Sequence, residues 1–171
     1  MATRKTQMSV FVESSALIPM LDSENALQKR IVAHLSAQNA LISIDTVVLS
    51  EYLAGLGESV DKSEVVERLS RQFRVHTFDA HSAIVCAEVF KTLKDKGQIP
   101  RNRSERQITK ADIMIMASAI VSGAAEFLFN DGHFAAYPAF LPSDICGHKL
   151  PTFVRAEDLP PEVVQGDLGL E

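Results

Sequence analysis

"QMSVFVESSALIPM", residues 7–20, poses the question on which the fold turns. An apolar run, Val10-Phe11-Val12, stops at Glu13, meets Ser14 and Ser15, and gives way to a second apolar run. Three apolar residues in a row leave no polar face, which is the pattern of a strand covered by helices on both sides. A carboxylate closing such a strand is a turn residue, a helix cap or part of a site. Ser14 or Ser15 would cap the short helix that follows, leaving Glu13 without a structural duty.

Outward from this stretch, apolar runs of strand length alternate with segments of helical period. Strands are expected at 8–12, 40–44, 73–78 and 125–129, and helices at 24–38, 46–56, 61–71, 80–96 and 110–122. A last short strand fits 152–155, beyond a long connection over 138–150, and the tail "LPPEVVQGDLGLE" reads as loosely held. Such alternation predicts an α/β layer fold around a parallel sheet. Its strands end on Glu13, Asp45, Asp79 and Asp131. Parallel strands bring their carboxyl ends to one edge, where open α/β sheets bind ligands, so four acids would collect on one rim.

Each acid also has an ordinary explanation. Asp45 and Asp79 directly precede helical patterns ("DTVVLSEYL", "DAHSAIVCAEVF") and are expected as caps. Asp131 stands in "FNDGHF", which suits a turn. On the helix "TVVLSEYLAGL", Glu51 lies off the core stripe of Val48, Leu49, Tyr52, Leu53 and Leu56, on a second, partly apolar face. Asp112 in "TKADIMIMASAIVSGA" is expected in the first turn of a buried helix, with Thr109 as its capping partner.

A chain of 171 residues with 46% hydrophobic content suits one domain with a sizeable core. Its net charge of -5 gives the whole molecule no general attraction for nucleic acid or anionic membrane. Residues 91–110, "KTLKDKGQIPRNRSERQITK", hold seven of the 17 Lys and Arg against two acids. That run reads as a solvated loop or as a basic rim gripping phosphates beside an acidic site. Cys86 and Cys146 form no paired motif and fit a reducing compartment. The N-terminus shows no secretion signal, and no apolar stretch reaches the roughly 20 residues of a membrane span, so a cytoplasmic protein is expected. His34, His76, His81, His133 and His148 have no ligand spacing, and "DICGH" (144–148) reads as a loop rather than a zinc site. No glycine-rich phosphate loop and no nucleophile elbow occurs. The acids are the chemistry on offer.

In order and separation, "VFVESSALI", "VLSEYLAGL", "KADIMIMASAI" and "FLFNDGHF" resemble the PIN-domain nucleases, most of all the VapC-like toxins of type II toxin–antitoxin pairs. The resemblance covers roughly residues 8 to 137. It implies a three-layer α/β/α domain with a central parallel sheet, spanning 8–155 between short extensions, 1–7 and 156–171. It further implies Glu13, Glu51, Asp112 and Asp131 as catalytic acids, the first, third and fourth of them metal ligands, with Ser15 and Asn130 in support. Hard oxygen ligands without thiolate or imidazole select Mg²⁺ or Mn²⁺. An RNA substrate, a cognate antitoxin and a homodimer follow from the same resemblance, with Lys94, Lys96, Arg101, Arg103 and Arg106 contacting RNA phosphates. Two positions depart from the family pattern: Glu13 replaces an aspartate, and Phe129 stands where many members carry a hydroxyl residue. A metal-dependent endoribonuclease is one reading. A PIN-like binding or regulatory module with impaired turnover is the other, and a phosphoryl-transfer receiver or phosphatase ranks last.

Overall fold

The computed structural model describes residues 7–161. Its centre is β1 (Ser9–Val12), with β2 (Leu41–Asp45) and β3 (Arg74–His76) on one side and β4 (Glu126–Phe129) and β7 (Thr152–Arg155) on the other. The order is β3-β2-β1-β4-β7, and every pairing is parallel. The helices flank this sheet: α1 (Ser14–Leu21), α2 (Ala26–Ala37), α3 (Thr46–Ala54), α4 (Lys62–Gln72), α5 (Ala80–Asp95), α6 (Arg103–Val121) and the short α7 (Gly132–Ala136). Helix cover on both faces explains the unbroken apolar runs: Val10, Phe11, Val12, Phe127 and Leu128 are wholly buried. The expected three-layer architecture is the observed one.

Three local expectations need correction. First, the buried helix does not begin near 110. Asn102 caps it, accepting the Ser104 amide at 2.9 Å, and α6 runs from Arg103. Thr109 therefore sits in the helix interior, where its hydroxyl donates to the Glu105 carbonyl at 2.9 Å rather than capping anything. Asp112 is more than two turns inside α6, and much of the basic run is helix, not loop. Second, 138–150 is not one long connection. It contains a 3-10 turn, Tyr137–Ala139, and a hairpin of β5 (Asp144–Ile145) and β6 (His148–Lys149). Cys146 and Gly147 form its two-residue loop with φ of 53° and 84°, the left-handed pair that such hairpins demand. Third, Glu13 itself caps α1, a role expected of the serines.

Beyond Arg155 the chain stays packed: Ala156 and Leu159 are buried. The rest of the tail, and most of the N-terminal extension, lie outside the described residues. Among the described residues no helix is long and apolar enough to cross a membrane. α6 closes with Gly123 at φ 69°, where the Ala124 amide reaches back to the Ala119 carbonyl. That left-handed cap turns the chain directly into β4. Phe129, the second departure from the family pattern, is a core residue. Its ring packs 6.0 Å from Phe127, 5.7 Å from Phe134 and 6.1 Å from Phe153.

Candidate acidic site

The chain builds outward from β1 in one direction through β2 and β3, then returns to its other side with β4. The reversal falls between β1 and β4, and a crevice opens outside the carboxyl ends of strands at such a point. Glu13 ends one of these strands, and Asp131 follows the other by two residues. The ladder extends to the first acid, since the Glu13 amide donates to the Leu128 carbonyl at 2.9 Å.

Glu13 is buried and folded back on its own turn. One carboxylate oxygen accepts the Ser14 hydroxyl at 2.5 Å; the other accepts the Ser15 amide at 2.8 Å and the Ser15 hydroxyl. Burial raises its pKa, opposed by these serine contacts and assisted by the charge of Glu51. The same Ser15 oxygen accepts the amides of Asn130 at 2.8 Å and Asp131 at 2.9 Å. One hydroxyl thus ties the end of β1 to the turn after β4. The Asn130 side chain points elsewhere: its oxygen accepts the Glu157 amide at 3.2 Å and braces the segment after β7.

Asp131 caps α7 through the His133 amide at 2.9 Å and remains half exposed. Asp112 reaches the same region from α6. It is 8% exposed, and its Oδ2 has no hydrogen-bond partner. Burial, then the charges of Glu13, Asp131 and Glu51, push its pKa up to about 7. The four expected acids are therefore near enough to repel one another. Glu51, on α3, is the exposed member. Asp45 and Asp79 cap α3 and α5 as expected, accepting the amides of Val48 at 2.8 Å and Ser82 at 2.9 Å. Asp45 is fully buried, its pKa is raised chiefly by that burial, and its Oδ2 is also unpartnered.

Neighbouring residues complete the picture. Tyr137, absent from the sequence expectations, is 6% exposed and stands its ring edge-on against Phe134 at 5.9 Å. No spacing or motif pointed to it, because it enters by way of a 3-10 turn that the sequence did not disclose. Of the basic residues, Lys94, Arg101 and Arg106 line one cavity of 450 Å³ with Phe90, Ile99 and Pro100. Arg106 donates to the Arg101 carbonyl at 2.6 Å and holds that loop. Lys96 caps the end of α5, and Arg103 begins α6.

The donor set suits a hard divalent cation: carboxylates only, crowded, one of them with an orphaned buried oxygen. As they stand, no three His, Cys, Asp or Glu side chains among the described residues are placed to share one ion.

The comparisons with known proteins agree with this fold. The PIN-domain profile matches residues 10–139. No curated protein matches the chain. Among solved structures, VapBC2 of Rickettsia felis, bound to a DNA fragment from its promoter, matches at 19% identity and TM-score 0.58, covering 86% of this chain and 98% of that one. VapBC-1 of nontypeable Haemophilus influenzae matches at 14% identity and TM-score 0.62, covering 88% and 99%. VapC20 of Mycobacterium tuberculosis, a sarcin–ricin loop cleaving toxin, matches at 18% identity and TM-score 0.52, covering 77% and 96%. At these identities the likeness is one of fold.

Proposed function

The chain belongs to the PIN-domain family, and from that premise we propose that it is a divalent-metal-dependent endoribonuclease, the toxin of a toxin–antitoxin pair. One observation carries the reading: a buried Asp112 with an unpaired oxygen, at the sheet's switch point, pressed by three further carboxylates. Crowded like charges without a counter-ion are costly, and a cation relieves them. The ion would be Mg²⁺ or Mn²⁺, held by Asp112, Asp131 and Glu13. When bound, it supplies a hydroxide-like nucleophile and charge for the departing oxygen. Glu51, exposed at the mouth, orients the attacking water and takes its proton. Ser15 fixes the distance between the turns bearing Glu13 and Asp131, and Asn130 anchors the second turn from behind. Lys94, Lys96, Arg101, Arg103 and Arg106 hold flanking phosphates, three of them around one cavity.

A protein antitoxin belongs to the same proposal, supported by fold likeness to proteins solved as VapBC pairs, and a homodimer is proposed with it. So do a cytoplasmic location and a domain spanning residues 8–155. A second reading, a PIN fold with impaired turnover, rests on Glu13, whose longer side chain turns both its oxygens onto Ser14 and Ser15.

Cleavage of a mixed RNA pool with Mg²⁺ or Mn²⁺ separates the two. Wild type, Glu13→Asp and Asp112→Asn are compared, with a chelator control. Metal-dependent cutting by wild type and at least a hundredfold loss in Asp112→Asn is the expected result. Cutting by Glu13→Asp alone would mean the second reading is right.

A further inference from the structure

The seam between α5 and α6 opens to the outside along an apolar groove of 480 Å³. Phe78, Cys86, Phe90, Ile113 and Met114 form its walls, and Lys110 is its one charged residue. Ala83 and Ala87, one turn apart on the exposed side of α5, are too small to close it. The same two helices carry Ile84 and Ile108, each 58% exposed. Phe90 also lines the neighbouring cavity of 450 Å³, where Lys94, Arg101 and Arg106 stand. The Lys110 ammonium lies 5.9 Å from the centre of the Phe90 ring, so that ring joins the apolar stretch to the basic one.

Among the described residues nothing neutralises this seam. No carboxylate lines either cavity, and none of Lys94, Arg101, Arg106 and Lys110 forms an ion pair there. The rest of the chain cannot be short of partners, since it holds 22 acids against 17 bases overall. Cations alone would suit phosphates as well as carboxylates. The apolar stretch decides between them. A nucleic-acid base placed there would leave its polar edge without partners, whereas aliphatic and aromatic side chains gain from burial.

We infer that the α5–α6 seam docks a protein segment bearing large apolar side chains and carboxylates, the first seated in the apolar stretch and the second meeting Lys94, Arg101 and Arg106. The inference goes beyond the nuclease reading and needs no metal. It touches that reading at one point: a docked segment takes the cations that would otherwise hold flanking phosphates.

The test is fluorescence anisotropy of labelled peptides mixed with the metal-free intact chain. A peptide of Leu and Glu is expected to bind roughly tenfold more tightly than one of Ser and Glu or one of Leu and Lys. Ala87→Glu, at an exposed helix position, puts a carboxylate into the apolar stretch. It should weaken the Leu–Glu peptide by a similar factor with an unchanged thermal midpoint, and Lys94→Ala should weaken it less. In a Cys146→Ser background, the same peptide should slow alkylation of Cys86 by iodoacetamide, a readout that needs no change in the groove. Equal binding of the Leu–Glu and Ser–Glu peptides overturns the inference, as does an unchanged Cys86 rate or full binding to Ala87→Glu. A single-stranded RNA oligonucleotide that binds more tightly than the peptide and protects Cys86 assigns the seam to nucleic acid and overturns it. Sedimentation of wild type as a dimer that Ala87→Glu dissociates assigns the seam to a second copy, and overturns it too. RNA cleavage, which needs metal, is read separately and stands or falls alone.

Discussion

Two ends of one sheet treat a buried carboxylate in opposite ways. At the amino end of β4, Glu126 is 4% exposed and has a donor for each oxygen: His34 Nε2 lies 2.6 Å from Oε1, and Gln38 donates to Oε2 at 3.3 Å. Both partners come from α2 and its C-terminal cap, so the cluster fastens that helix to the sheet. At the carboxyl end, Asp112 has comparable burial, an orphaned oxygen and three like charges for company. A buried carboxylate with a donor for each oxygen is satisfied within the chain, and Asp112, held among like charges, is not. The contrast is sharper than either cluster alone, because the same fold and the same solvent conditions act on both.

The largest expected effect comes from pH. The folded-state pKa of Asp112 is about 7 against an ordinary value of 3.8. Raised in the folded state, the group favours folding fully below its unfolded pKa and loses that contribution as pH rises through about 7. Metal-free protein should therefore lose up to about 4 kcal/mol of stability between pH 4 and pH 8 from this source. Chelated wild type and Asp112→Asn, unfolded in urea across that range, should diverge progressively between pH 4 and pH 7, with the variant the more stable at pH 8. Parallel curves for the two proteins would erase the contrast. Next in size is the opposite end. His34→Ala strips a buried carboxylate of its closest partner and should cost about 3 kcal/mol by the same measurement, with RNA cleavage per folded molecule unchanged. A smaller loss of about 2 kcal/mol is expected for Ser15→Ala, which leaves two backbone amides without their acceptor. Unlike His34→Ala, that variant should also depress cleavage, since it loosens the spacing of Glu13 and Asp131.

Much of this arrangement was legible in the chain because the dominant signals were strong ones. "VFV", "LISI" and "FLF" are too apolar to be anything but covered strands, and each leads to a polar residue at its carboxyl end. Ordered acids on those ends needed only the parallel sheet to bring them together. What escaped had weaker or misleading signals. "RSERQ" is polar throughout, so the first turns of α6 read as loop, although Asn102 supplied an ordinary cap just before them. Glutamate is an unusual cap, so the serines beside Glu13 drew the expectation instead. The hairpin at 144–149 depends on Cys146 adopting a positive φ, which few would assign to a cysteine. Tyr137 is brought to the acids by α7 and a 3-10 turn, both too short for any periodicity to show.

The position of β1 has a consequence for synthesis. Among the described residues, the first strand in chain order is the middle of the sheet, and its second neighbour, β4, is more than a hundred residues downstream. Glu13 and Ser15 have no Asp131 to meet until nearly the whole domain has emerged. In any fragment ending before residue 130, Ser15 therefore lacks the two amides that tie the end of β1 to the turn after β4. The order of strands thus sets a delay between the synthesis of Glu13 and its meeting with Asp131.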